Sequence, residues 1–278
     1  MQVFLNGEII NEEEAKISIS DLSYQFGYGL FETIRCEEGI PLFFDAHFKR
    51  LTQSSKGIGM PFPIEELEVK SWITDLLKTN KLLNARVKII ISQRAGDKFN
   101  VSIFSSPLEK SPESYSLIAY KLGRDPNSVS FKHKTTSRAD SYMAYKEALE
   151  LRFNDALYIN EKNELIECTR ANIFLVLEDR IITPLLECGI LSGVTRSKII
   201  EIAKKEGITV EEKNVNNLYL NKAKSVFITN AIIGIMKVSK IRLPEKEHIF
   251  SQDSKITLLK NLYDAEIKKW LKGGLVIQ

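Results

Sequence analysis

The stretch Leu122-Gly123-Arg124-Asp125-Pro126-Asn127 constrains the fold more than any other part of this chain. A regular helix or central strand does not run through it. Proline lacks an amide hydrogen and clashes with a preceding helical turn, while Asp and Asn bond to their own backbone. The 278-residue chain therefore breaks there. We expect a small α/β domain over residues 1–120, a linker over 121–127 and a larger domain over 128–278.

Local signals fill in both sides. Val3-Phe4-Leu5 and Glu8-Ile9-Ile10 flank Asn6-Gly7, a pair suited to a two-residue hairpin turn. Ile17 and Ile19 alternate with serines, and Pro41-Leu42-Phe43-Phe44 reads as a strand. Helices are predicted over 47–56 and 64–79, and strands over 87–92, 101–104 and 116–120. After the break, a helix is predicted over 137–151, with Ser137 as N-cap and Ala139, Tyr142, Met143 and Lys146 at helical spacing. Two hairpins follow, 156–159 with 165–167 and 173–177 with 180–183. An amphipathic helix over 195–205 ends near Gly207, a buried strand covers 225–229, and an amphipathic helix over 256–271 closes the chain. The mixture is α+β.

Composition excludes several classes. At 44% hydrophobic residues the chain can bury a substantial core without disulfides. Cys36, Cys168 and Cys188 are odd in number, widely spaced and without a CxxC pair, which fits a reduced compartment and no thiolate zinc site. His47, His133 and His248 form no HExxH pattern, so no metal is expected. A net charge of +3 makes no case for nucleic acid. Neither a signal peptide nor an apolar run of about 20 residues is evident, so the expectation is a soluble cytoplasmic protein without membrane contact.

Chemistry-bearing residues recur at intervals. Lys134 lies in Lys132-His133-Lys134; taken alone this is a solvated basic run. The functional alternative is an amine that is neutral part of the time, which lysine manages when burial and nearby cations lower its pKa. Glu167 ends a predicted strand, and a buried carboxylate there could hold a heterocyclic nitrogen protonated, with Asn172 to orient it. Cys168, without a histidine nearby in sequence, reads as a packing residue. Leu191-Ser192-Gly193-Val194-Thr195-Arg196 precedes a helix, whose first amides suit a phosphate; Thr229-Asn230-Ala231 could add a second set. Gly27-Tyr28-Gly29 is not a GxGxxG motif. A Schiff-base lysine, a pyridinium partner and two phosphate loops would all be explained by one cofactor, pyridoxal 5'-phosphate (PLP).

Together these motifs resemble the class IV aminotransferases, the fold-type IV group of PLP enzymes. The resemblance runs over Gln25 to Arg35, His47-Phe48-Lys49-Arg50-Leu51, Lys134, Ala144 to Ala148, Glu167 to Phe174, Gly193 to Arg196 and Phe227 to Ala231. It implies that Lys134 carries the cofactor and moves the proton, that Glu167 partners the pyridine nitrogen, and that Arg50 reaches the phosphate. The Val194 and Thr195 amides and the Asn230-Ala231 turn would complete the phosphate cup. It also implies a homodimer acting on a small-molecule amine.

Within the family, Glu167-Cys168-Thr169-Arg170-Ala171-Asn172, Asn230 to Met236, Thr33 and the Lys134-to-Arg138 spacing resemble the aminodeoxychorismate lyase branch. Thr33 then falls near the substrate in a catalytic role. Arg35 and Arg94 become candidates for the substrate carboxylates, with Lys98 beside them. Tyr28, Lys237 and the loop Gln93 to Lys98 depart from the family pattern. The expectation is a PLP-dependent lyase; the alternative is a branched-chain or D-amino-acid transaminase using 2-oxoglutarate.

Overall fold

The computed structural model describes residues 1–60, 62–94, 98–121, 125–251 and 253–274. Residues 122–124 of the expected linker and 95–97 of the Gln93–Lys98 loop lie outside them. Two compact units form. The first contains residues 1–110, 133–138 and the C-terminal stretch from Ile267; the second contains 111–132 and 139–266.

In the first unit, strands β1 (Gln2–Leu5) and β2 (Glu8–Asn11) form the expected hairpin. Its turn places Asn6 and Gly7 at φ 52° and 104°, the left-handed region such turns require. Helix α1 (Leu22–Phe26), strand β3 (Gly29–Glu37), strand β4 (Ile40–Pro41) and helix α2 (Phe44–Gly57) follow. Helix α3 (Glu66–Thr79) starts with a capping box between Glu65 and Glu68. Strands β5 (Ala85–Gln93) and β6 (Phe99–Pro107) complete a six-stranded sheet in the order β2-β1-β6-β5-β3-β4. Phe44 and Leu51 of α2, and Val69, Ile73 and Leu76 of α3, share one core with Ile34, Ile89 and Ile103 of the sheet. The expected strand over Pro41–Phe44 is corrected: it ends at Pro41, and α2 begins at Phe44. A short apolar run is buried equally well in a strand or at a helix start, so its burial did not distinguish them. From the chain's end, Trp270 donates its indole N–H to the Pro41 carbonyl at 3.1 Å and packs against Phe43.

The second unit begins with β7 (Tyr115–Lys121), helix α4 (Val129–Lys132) and helix α5 (Ala139–Glu150). Strands β8 (Asp155–Ile159), β9 (Glu164–Cys168), β10 (Asn172–Val176) and β11 (Ile181–Pro184) form the two predicted hairpins. Helix α6 (Val194–Lys205), β12 (Val210–Lys213), β13 (Val215–Asn216) and helix α7 (Asn217–Lys222) lead to β14 (Ser225–Asn230). Then come β15 (Gly234–Arg242), β16 (Glu247–Ile249) and helix α8 (Ser254–Gly274). The sheet runs β12-β11-β10-β14-β15-β7-β8-β9-β13, with β16 beside β15. Every residue of β8, β10 and β14 except Asn230 is buried, which explains their unbroken apolar runs. On α5 the small residues Ser141, Ala144 and Ala148 face inward, whereas Tyr142 and Met143 are exposed.

The division differs from the one expected at 121–127. Strand β7 pairs in parallel with β8 and with β15, so it belongs to the second sheet, and residues 133–138 belong to the first unit. Pairing partners distant in sequence decide both placements, and a turn signal marks only where the chain bends. No helix among the described residues is long and apolar enough to cross a membrane.

Candidate active site

Lys134 sits in an extended segment docked against β3. The Phe31 amide donates to the Lys134 carbonyl at 2.9 Å, Leu30 bridges Thr135, and the Thr136 amide donates to the Gly29 carbonyl at 2.8 Å. Thr136 Oγ1 donates to the Gly27 carbonyl and accepts from Ser23 Oγ of α1. The two glycines now have a reason. A Cβ on Gly27, whose φ is 66°, would lie 2.9 Å from Ser137 Cα, and one on Gly29 would lie 2.9 Å from Thr136 Oγ1. They admit the lysine segment. Buried Asp21 caps α1 and accepts from Ser92 and Asn100, tying this seat to β5 and β6.

Strand β3 alternates. Leu30, Glu32, Ile34 and Cys36 are buried, while Phe31, Thr33 and Arg35 occupy the half-buried face. On that face the Lys134 amine lies 4.5 Å from the centre of the Phe31 ring, and the Lys88 amine lies 5.0 Å from the same ring. Thr33 pairs across the strands with Lys88. Desolvation lowers the Lys88 pKa, and the charges of Arg86 and Arg138 lower it further. Thr33 and Lys134 are thus brought onto one cation-rich face. Arg35 pairs with Glu37 at 2.7 Å. Arg94 is exposed and lies one residue beyond the end of β5.

The buried face of β3 carries a charge. Glu32 accepts from Arg50 Nε at 2.7 Å and Nη2 at 2.6 Å, and its Oε2 lies 2.9 Å from His47 Nδ1. Burial alone would raise the Glu32 pKa, but the Arg50 charge and the bonds from His47 and Arg50 outweigh it and hold the carboxyl well below the usual range. Burial holds the His47 pKa down in turn. A neutral imidazole donating Nδ1–H to the carboxylate fits both directions.

In the second unit, the β9–β10 turn, the start of α6 and the β14–β15 turn converge. Glu167 is 6% exposed. Its Oε2 accepts from Asn172 Nδ2 at 3.2 Å and from the Leu191 amide at 3.0 Å, and Asn172 Nδ2 also donates to the Leu191 carbonyl. A Cβ on Gly193 would lie 2.1 Å from Asn172 Oδ1, so any larger residue there must push the Asn172 amide aside. Gly193 is the N-cap of α6 and offers no side-chain bond, which leaves the first-turn amides of Val194 and Thr195 to other acceptors. Asn230 faces inward on its own turn: Oδ1 accepts from the Ile232 and Ile233 amides, Nδ2 donates to the Arg170 carbonyl, and Ala231 lies within the loop so formed. Cys168 is buried, and desolvation pushes its thiol far above the usual value, so it is a packing residue.

Lys88, Glu32 and His47 were given no role by sequence reasoning. Glu32 had a signal, a carboxylate at a core-facing position of an alternating strand. Lys88 had none, because its place opposite Thr33 depends on strand register.

The model of the amino-transferase class IV family matches residues 29–241. The aminodeoxychorismate lyase of Bacillus subtilis (strain 168) is 30% identical, over 98% of this chain and 97% of its own. The D-alanine aminotransferase of Bacillus licheniformis is 27% identical, over 87% of this chain and 88% of its own. Among solved structures, the branched-chain aminotransferase of Thermoproteus uzoniensis with norvaline superposes with a TM-score of 0.88 at 25% identity, covering 98% of this chain and 97% of that one. With a family match across most of its length and a fold-type IV architecture, the chain belongs to the amino-transferase class IV family of enzymes.

Proposed function

We propose that this protein is a PLP-dependent 4-amino-4-deoxychorismate lyase that forms p-aminobenzoate and pyruvate for folate synthesis. The observation that carries the reading is the face of β3 and β5 beside Lys134. Thr33 stands opposite Lys88, whose charge is crowded by Arg86 and Arg138. Cations held close together favour a substrate with more than one carboxylate. An apolar amino-acid side chain would gain nothing there.

The donor set fits PLP. Glu167, buried and oriented by Asn172 and Leu191, suits a protonated ring nitrogen. The Val194 and Thr195 amides at the start of α6, the Asn230-Ala231 turn and Arg50 suit a phosphate. When bound, PLP supplies covalent attachment for the substrate amine and a ring that accepts electrons from the carbon bearing it. With PLP bound, Lys134 would take the proton from that carbon. The ether bond to the enolpyruvyl group breaks, the substrate ring becomes aromatic, and the departing methylene carbon takes up a proton, from Lys134 or from a group near Thr33. Atoms balance without a second substrate, and nothing is oxidised or reduced overall.

A branched-chain or D-amino-acid transaminase is the second reading, favoured by the equal similarity to relatives so named. It would use Lys134 to move the proton from substrate to cofactor and would require a 2-oxoacid. In either reading the enzyme is a cytoplasmic homodimer, which the exposed Ile19, Tyr24 and Phe26 support as a surface for a second copy. The deciding experiment offers the PLP-loaded protein aminodeoxychorismate and, separately, an amino-acid panel with 2-oxoglutarate. Formation of p-aminobenzoate with equimolar pyruvate is expected. Brisk transamination with no pyruvate release would overturn the lyase reading.

A further inference from the structure

A carboxylate at the core-facing position of a strand is an expensive residue. Glu32 is 1% exposed and sits between Leu30 and Ile34 on the buried face of β3. Replacing a buried ion pair with apolar side chains of similar volume is commonly neutral or stabilising, so stability alone does not account for this one. Its geometry suggests what it does. The two oxygens of Glu32 take Nε–H and one Nη2–H of Arg50, a bidentate grip that fixes the plane of the guanidinium as well as its position. His47 Nδ1, 2.9 Å from Oε2, fixes the carboxylate in turn. His47 and Arg50 lie three residues apart on α2, so they rise from neighbouring positions of one helix face toward the same carboxylate.

We propose that Glu32 and His47 are positioning residues for Arg50, holding its guanidinium in the one plane from which it engages the cofactor phosphate. The inference rests on the reading of Arg50 as a phosphate contact. Because Arg50 has five N–H donors in a rigid fork, a carboxylate on one edge sets the direction of the other. Glu32 touches neither substrate nor cofactor in this role. Its effect passes entirely through Arg50.

A positioning role of this kind makes a demand that a merely structural role does not: the loss must be specific to the phosphate. The test measures dissociation constants of PLP and of pyridoxal, which lacks the phosphate, for the cofactor-free protein by equilibrium dialysis, with thermal unfolding on the same preparations. E32Q keeps the shape of the side chain but removes its charge. It should weaken PLP binding about tenfold or more while changing pyridoxal binding less than about twofold, so the ratio of the two constants collapses. H47N, which leaves the Arg50–Glu32 pair in place, should shift the ratio about threefold, and E32D should restore part of what E32Q loses. An unchanged ratio in E32Q overturns the proposal. So does a parallel loss of both ligands that tracks the melting temperature. If E32Q does not fold, H47N decides alone, and an unchanged ratio there overturns it. R50A separates the two levels: a collapsed ratio in R50A with an intact ratio in E32Q sinks this inference only. An intact ratio in R50A removes Arg50 from the phosphate site and sinks both.

Discussion

Replacing Gly193 with alanine probes the stitch between Glu167 and the start of α6. Gly193 has φ −70°, which alanine adopts freely, so the backbone presents no obstacle. The obstacle is the new methyl carbon, 2.1 Å from Asn172 Oδ1. Asn172 must turn away, breaking its bonds to Glu167 at 3.2 Å and to the Leu191 carbonyl at 3.0 Å. The first is charge-assisted and contributes ~1.5–3 kcal/mol, the second ~1 kcal/mol. We expect G193A to cost about 3 kcal/mol, a fall in Tm of roughly 6–12 °C for a chain of this size. N172A removes the same two bonds and should cost about as much. Without the amide the methyl meets only Arg196 Cβ, at 3.3 Å, so the double variant should also sit close to ~3 kcal/mol rather than ~6, an interaction energy of about −3 kcal/mol. Urea unfolding of the four cofactor-free proteins measures this. If G193A costs the same in both backgrounds, the close approach is absent and the reasoning is refuted. PLP affinity should fall in both single variants, because Glu167 and the start of α6 lose their common anchor.

Lys134→Ala should abolish turnover of every substrate while the protein still folds; near wild-type activity, or a pyridoxyl group found on Lys132 after borohydride reduction and peptide mapping, would contradict the assignment. Thr33→Gly should depress p-aminobenzoate formation selectively, with PLP binding unchanged; an activity loss proportional to a lowered melting temperature would reduce Thr33 to a packing residue. Acid stability follows from Glu32, whose pKa is lower in the folded protein than in the unfolded chain. Its contribution is present above the ordinary carboxylate value of ~4.3 and is lost as pH falls below it toward the depressed folded value. Wild-type unfolding midpoints should therefore drop more steeply than those of E32Q between roughly pH 5 and pH 3, and parallel slopes would show that the Glu32 charge does not differ between the two states.

Patterns within a single element were legible in the sequence. The Asn6-Gly7 hairpin, the α6 helix and the buried strands β8, β10 and β14 follow from periodicity and turn chemistry, and the structure contains them. Resemblance supplied Lys134, Glu167 and Arg50, but not what holds them. Strand β7 reads as the end of the first domain because it precedes the breaker stretch, yet its partners β8 and β15 arise later in the chain. Gly27 and Gly29 look like a loop until the Lys134 segment lies across them. Tyr142 and Met143 have helical spacing, but the small side chains of α5 pack better against a sheet. In each case the deciding contact joins residues distant in sequence, and local propensity carries no information about it.

The first unit is completed by chain that is synthesised long after it begins. Its β3 edge receives the lysine segment only when residues 133–138 emerge, and Phe43 and Pro41 receive Trp270 only when the last helix is nearly finished. A nascent chain of the first 110 residues therefore exposes two unfilled seams, one along β3 and one at the start of α2. Full closure of the first core waits for the C-terminus, so a truncation just before Ile267 would leave its damage at the opposite end of the sequence.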